Sequence, residues 1–154
     1  MGEQQSVDEE SSVGYVTKVR DAFELAVSEE LSPHLIALSF AFGIFLTAMP
    51  NLGVSVAILL WIGHRVRYAS QFAFVAAITV MNPIIKGAVY TASFLLGVRL
   101  LGSVGGINAS DVGLDAGQEV LVRLLAGNLV LAVVFAVVGY VLAYATAVKA
   151  RSDH

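Results

Sequence analysis

LIALSFAFGIFLTAMPNLGVSVAILLWI, residues 35–62, runs for 28 residues without a charge. At ~1.5 Å per residue, a helix of that length outruns a hydrocarbon core of roughly 30 Å, yet it is too short for two upright spans. Met49-Pro50-Asn51-Leu52-Gly53 stands at its middle. Proline removes a backbone donor and pushes the preceding residue out of the helical region, and Gly53 adds backbone freedom. The stretch therefore reads as two half-helices meeting at a turn. Its entrance is marked by Ser32-Pro33, a good N-cap followed by the residue best tolerated at the first helical position.

Two further apolar blocks follow. Residues 68–98 carry only Lys86 and are interrupted at Asn82-Pro83, and residues 124–148 carry no charge. A shift of 32 residues superimposes Ala41-Phe42, Thr47, Met49 and Pro50-Asn51 on Ala73-Phe74, Thr79, Met81 and Asn82-Pro83, which suggests an internal repeat with permuted breakers. The expected fold is an all-α integral membrane protein. Two broken apolar blocks, either re-entrant-type hairpins or kinked spans, are joined by one continuous transmembrane helix and preceded by an amphipathic helix. The expected segments are a disordered acidic tail over 1–12, the amphipathic helix over 13–31, the interrupted blocks over 33–102, a polar loop over 103–120, the last span over 121–148 and a polar tail over 149–154.

Composition agrees, with 57% apolar and 14% charged residues against about 45–50% and 25% in an ordinary soluble domain. Eight of the twelve carboxylates fall in residues 1–31 beside only Lys18 and Arg20. That acidic tail would repel a phosphate backbone, so no nucleic-acid partner is expected. The absence of cysteine excludes disulfides and thiolate chemistry. No cleavable signal peptide is expected, because the first 30 residues lack an apolar stretch. Val13, Val16, Val19, Phe23, Ala26 and Val27 recur at helical spacing opposite Lys18, Arg20, Asp21, Glu24 and Glu29, a helix better suited to packing on protein than to anionic lipid. Arg65, Arg67, Lys149, Arg151, Lys18 and Arg20 all belong on the cytoplasmic side by the positive-inside bias. The chain is thus expected to be multi-pass in the cytoplasmic membrane, with both termini inside. The first block then enters and returns on one side.

No HExxH, GxSxG, phosphate loop or carboxylate pair lies in the apolar region, so neither an enzyme nor a cofactor is expected. Lys86 is the one charge inside a block and a binding candidate by default. Arg99 reads as an interfacial anchor. Asn51, Asn82, Asn128, Thr47 and Thr79 are polar groups at depth that satisfy backbone freed at a break or bond across helices. His34 and His64 flank the first block as interfacial residues. Ala132 and Ala136, then Gly139, Ala143 and Ala147, form rows of small residues that permit close helix contact.

Gly43-Ile44-Phe45, Pro50-Asn51-Leu52-Gly53, Asn82-Pro83, Tyr90 and Leu96-Gly97, in this order and spacing, resemble the membrane family called domain of unknown function 2062. The resemblance covers about residues 33–102, with the tail and third block outside it. Some relatives are joined to glycosyltransferase-like domains acting on polyprenyl-linked sugars, which implies a setting near lipid-phosphate carriers. The family often has threonine where this chain has Ile85 and asparagine within the stretch Arg65-Val66-Arg67-Tyr68, and Lys86 is not a hallmark position. The expected function is binding or translocation of a small solute or anionic lipid headgroup by a homo-oligomer, at a site built from Lys86, Asn82, Pro83, Pro50, Asn51, Gly53, Thr47, Thr79 and Arg99. Half-helix ends at the two breaks would present free backbone groups to such a ligand. The alternative is a non-transporting scaffold or accessory subunit of a glycosyltransferase-type enzyme.

Overall fold

The computed structural model describes residues 2–50, 54–102 and 114–152 and is entirely helical over them. Six helices follow in order: α1 Gly2–Ser28, α2 Pro33–Ala48, α3 Val54–Arg65, α4 Gln71–Val80, α5 Pro83–Leu101 and α6 Leu114–Ser152. Two of them, α5 and α6, are long and apolar enough to cross a membrane. Both blocks break where proline and its neighbours dictate. α2 opens on the Ser32 cap with Pro33 in its first turn, and α5 opens on the Asn82 cap with Pro83 in its first turn. Asn51 and Gly53 of the first break lie outside the described residues.

Two boundaries differ from expectation. α1 reaches back to Gly2, through the segment 1–12 expected to be disordered. No proline interrupts residues 2–32. α6 begins at Leu114, inside the segment expected as a loop, and its first turns are supported by the Glu119–Arg123 pair four residues apart. Residues 103–113 of that loop lie outside the described residues.

α6 is the spine. At 39 residues it is roughly 58 Å long, and α2 and α5 both run antiparallel to it. His34 meets Tyr140 and Tyr144, and Met49 meets Asn128, so α2 descends along the C-terminal half of α6. Ser93 meets Gly127 and Asn128, and Gly97 meets Arg123, so α5 follows its N-terminal part. α4 lies parallel to α2. The Ser70 amide donates to Ser39 Oγ at 2.9 Å, and Gly43 lies against Phe74 and Ala77. The C-terminal end of α3 comes back beside the start of α4, with Gly63 against Gln71, and beside the start of α2. α2 and α3 therefore form a hairpin whose two ends meet, whereas α4 and α5 continue in one direction across their break. α1 runs antiparallel to α4, with Ala26 packed near Ala73 and Ile36, and Tyr15 reaching Val80.

Small residues fill the inside and large ones cover the outside. Among the described residues, alanine supplies eleven of the seventeen buried apolar residues, while valine, leucine and isoleucine dominate the exposed faces of α5 and α6. Ala132, Gly139, Ala143 and Ala147 of the small-residue row are buried, and Gly139 seats the Phe40 ring.

The closest approach lies between α5 and α6. A Cβ on Gly127 would stand 1.8 Å from the Ser93 carbonyl oxygen, and one on Gly97 would stand 1.8 Å from that of Arg123. Backbone cannot yield as a flexible side chain does. Gly127→Ala and Gly97→Ala are each expected to cost about 1–3 kcal/mol through overpacking. Gly87 in the same helix α5 has open space at its Cβ, so Gly87→Ala should stabilise by about 0.5–1 kcal/mol through helix propensity. Unfolding in mixed detergent micelles, followed by circular dichroism, separates the two outcomes.

Candidate functional site

A helix end in an apolar setting leaves backbone groups that must find partners. At the second break they are supplied from within the chain. Asn82 Oδ1 accepts from the Ile85 amide at 2.9 Å, and the Asn82 carbonyl accepts from the Lys86 amide. Pro83 has no amide to satisfy. On the α4 side, the Met81 amide donates to the Ala77 carbonyl, and the Tyr15 hydroxyl donates to the Val80 carbonyl at 2.7 Å. Partial burial pushes the Tyr15 phenol pKa above its usual value, while hydrogen bonding to Asn82 opposes this. Thr47 and Thr79 serve their own helices: their hydroxyls donate to the Gly43 and Val75 carbonyls, four residues back. The half-helix ends at Asn82-Pro83 are thus largely occupied by protein groups.

The flanks of the two breaks do come together, through apolar contact. Ala48 and Met49 before the first break pack with Val80, Met81 and Ile85 around the second, over Ala132 and Phe135 of α6. Asn128 is fully buried beside them. Its Oδ1 accepts from Ser93 Oγ at 3.2 Å, and its Nδ2 points at Met49 Sδ, so it bonds across α6, α5 and the end of α2. The other expected site residues that the structure describes lie at the surface or apart along α5. Pro50 and Pro83 are exposed, and Lys86 is half-buried. Among the described residues, Lys86 has no carboxylate partner. Arg99 is exposed in the last turn of α5, roughly 20 Å along the helix from Lys86 at ~1.5 Å per residue.

The concave surface lies one helix away. A cleft of about 950 Å³ opens between α1, the α4–α5 break and α6, lined by Val16, Val19, Phe23, Val27, Val80 and Ile85, with Tyr15, Thr146 and Arg151 at its polar positions. A second hollow of about 420 Å³ shares Phe23, Val80, Ile85 and Thr146 with it and continues to Phe40, Phe135 and Leu142. Together they form an apolar furrow beside the second break. Arg20 and Arg151 stand at its margin, but Arg20 pairs with Glu24 at 2.7 Å, and Arg151 donates to the Glu29 and Leu31 carbonyls. Sequence reading identified the α1 apolar stripe but not its use as the wall of a cleft. That use depends on α1 packing mainly on α4 and meeting α6 only lightly, which no local pattern reports.

The ends of the molecule differ in charge. His34, His64, Arg65, Arg67, Lys149 and Arg151 lie where α2 begins, α3 and α6 end and α4 begins. Arg99 and Arg123 stand at the opposite end, where Arg123 donates to the Gly102 carbonyl closing α5. No group of three metal-ligating side chains occurs among the described residues.

Comparison with known proteins gives a family. No curated protein and no solved structure matches the chain. The match to uncharacterized proteins conserved in bacteria, domain of unknown function 2062, covers residues 18–154. It is wider than the 33–102 expected from the motifs, and it takes in the third apolar block and much of α1. The geometry accounts for the extension, since α2 and α5 have no other common support than α6, and α1 closes over α4. This chain belongs to the domain of unknown function 2062 family of bacterial proteins.

Proposed function

We propose that the chain is an integral membrane protein that holds the apolar chain of a lipid, of the polyprenyl-phosphate type, in the furrow between α1, the second helix break and α6. The observation that carries this reading is the furrow itself: two adjoining hollows of about 950 and 420 Å³ with predominantly apolar surfaces, the larger one edged by Arg20, Glu24 and Arg151, suited to a long hydrocarbon chain. The membrane setting is supported by the inverted distribution of side-chain size. Only 17% of the apolar windows of α5 and α6 is buried, whereas a soluble core helix would be mostly covered. Small residues inside and large apolar residues outside suit helix packing in lipid, where close backbone approach replaces the hydrophobic effect.

Orientation follows from the charged ends. The end carrying His34, His64, Arg65, Arg67, Lys149 and Arg151 faces the cytoplasm by the positive-inside bias. The α2–α3 hairpin then enters and leaves on that side as a re-entrant element, α4 and α5 cross outward, and α6 returns. The site expected from Lys86, Asn82, Pro83, Pro50, Asn51, Gly53, Thr47, Thr79 and Arg99 is replaced in this reading by the furrow at the second break. A single copy is small for a transport path, so translocation would require self-association; a strictly monomeric protein in nanodiscs would leave lipid binding and remove transport.

A second reading has its own observation. Lys18, Arg20, Asp21 and Glu24 are exposed on α1 alongside an otherwise apolar bundle, and charges are costly against lipid. A protein partner such as a glycosyltransferase-type enzyme would cover that face. A stoichiometric partner lost in Asp21→Lys/Glu24→Lys, with no lipid retained by the isolated protein, would favour the scaffold.

Native mass spectrometry of gently extracted protein tests the furrow. Ile85→Trp fills it and should lower the retained lipid about tenfold, the equivalent of roughly 1.4 kcal/mol, while Val137→Trp, on the exposed face of α6, should leave it unchanged. Equal retention in both variants sinks the furrow as a binding site. Orientation is read with Val66→Cys, since Val66 is exposed between α3 and α4 and the chain has no other cysteine. The thiol should be labelled only from the cytoplasmic side; labelling only from outside refutes the re-entrant hairpin.

A further inference from the structure

A polar cavity of about 610 Å³ lies at the charged end, between the segment Glu29–Leu35 and the α3–α4 turn Gly63–Ala69. Its lining carries both signs of charge: Glu29 and Glu30 on one wall, His64, Arg65 and Arg67 on the other. Among the described residues, neither Arg65 nor Arg67 has a carboxylate partner. Glu29 Oε2 is buried and meets no hydrogen-bond donor. A buried carboxylate oxygen without a donor is costly and calls for a cationic or donor group supplied from elsewhere.

An anion alone would suit the arginines and be repelled by Glu29; a cation alone would suffer the reverse. A ligand holding an ammonium a few ångströms from a phosphate satisfies both walls. Guanidinium takes phosphate through paired N–H groups, and the ammonium donates to the orphaned carboxylate. A quaternary ammonium has no N–H to give, so a primary amine is required. We infer that this cavity binds a phosphorylethanolamine group, presented by a phosphatidylethanolamine of the cytoplasmic leaflet. The site is separate from the furrow, beyond the Leu31 carbonyl that Arg151 caps. It rests on the membrane orientation proposed above but not on lipid occupancy of the furrow.

The test uses the full chain reconstituted in vesicles of equimolar dioleoyl phosphatidylethanolamine, phosphatidylglycerol and phosphatidylcholine. Carbonate-resistant flotation is scored first, so that failure of the membrane reading shows as protein that does not float. Native mass spectrometry of the floated protein should then show phosphatidylethanolamine enriched about tenfold over the other two, as one charge-assisted hydrogen bond would give. Glu29→Gln should abolish the preference for the amine, and Arg67→Ala, at an exposed turn residue, should abolish the adduct. Ile85→Trp should change neither. Phosphatidylglycerol held as well as phosphatidylethanolamine, or a preference that survives Glu29→Gln, overturns the proposal. Soluble phosphorylethanolamine bound by lipid-free protein, with no lipid adduct from vesicles, overturns the lipid as its source.

Discussion

The carbonyl oxygens of Ser93 and Arg123 occupy the places where side chains on Gly127 and Gly97 would begin. α5 and α6 therefore meet backbone to backbone, and the remaining architecture depends on that contact. Were these apolar helices in lipid, as proposed above, there would be little hydrophobic gain to be had, and association would rest on dispersion, close approach and a few polar bonds. Two glycines provide the approach, and the buried Ser93–Asn128 pair adds the polar bond at the same height. α2 uses the other half of α6 by the same logic, with Gly139, Ala143 and Ala132 leaving room for Phe40 and Ile44. α4 then leans on α2, and α1 on α4. The two broken blocks meet each other through α2 and α4, but α2 and α5 are brought together on α6.

A second constraint governs the breaks. Each interruption frees amides and carbonyls that an apolar surrounding would leave unsatisfied, at several kcal/mol apiece in a bilayer core. The chain answers locally at α5, through the Asn82 side chain and the missing amide of Pro83, and at long range at α4, through the Tyr15 hydroxyl on Val80. At the α4 start, Ser70 accepts from Ala73 and donates its own amide to Ser39, so one cap also fastens two helices. The consequence for function is direct. Helix ends already filled by the protein's own groups have little left to offer an anion, and the reading proposed above therefore turns to the apolar furrow beside α1.

The breaks at Pro50 and at Asn82-Pro83, the Ser32 cap and the small-residue row on α6 were all legible, because each is a local rule written in adjacent residues or in a fixed period. The 32-residue offset of the apparent repeat is close to the offset at which α2 touches α4, as in Ser39 with Ser70 and Ala48 with Met81. The contact that matters most was not legible. Gly127 is followed four positions later by Leu131 and preceded by Arg123, so it makes no small-residue row and gains its meaning only from the backbone opposite. Lys86 stands out for the opposite reason, as an isolated charge in an apolar run; among the described residues it has no carboxylate partner and does not line the furrow. The Glu29 carboxylate and Arg67 are 38 positions apart in an unremarkable charge pattern, and only the meeting of α2 and α3 ends brings them to one cavity.

The polar helix α1 carries a burden out of proportion to its contacts. Among the described residues it is held by Ala22 and Ala26, by the edge-on contact of Phe23 with Phe40 at 6.1 Å, and by the Tyr15 bond to Val80. α6 is held along much of its length by two helices. Local stability follows buried contact, so α1 separates more readily than the α2–α5–α6 frame. It is also the wall that the furrow cannot do without, since Val16, Val19, Phe23 and Val27 supply one whole side of it. On the reading proposed above, a lipid chain lying there would add apolar contact where α1 and α6 already meet lightly. Occupancy of the furrow and docking of α1 would then be one equilibrium.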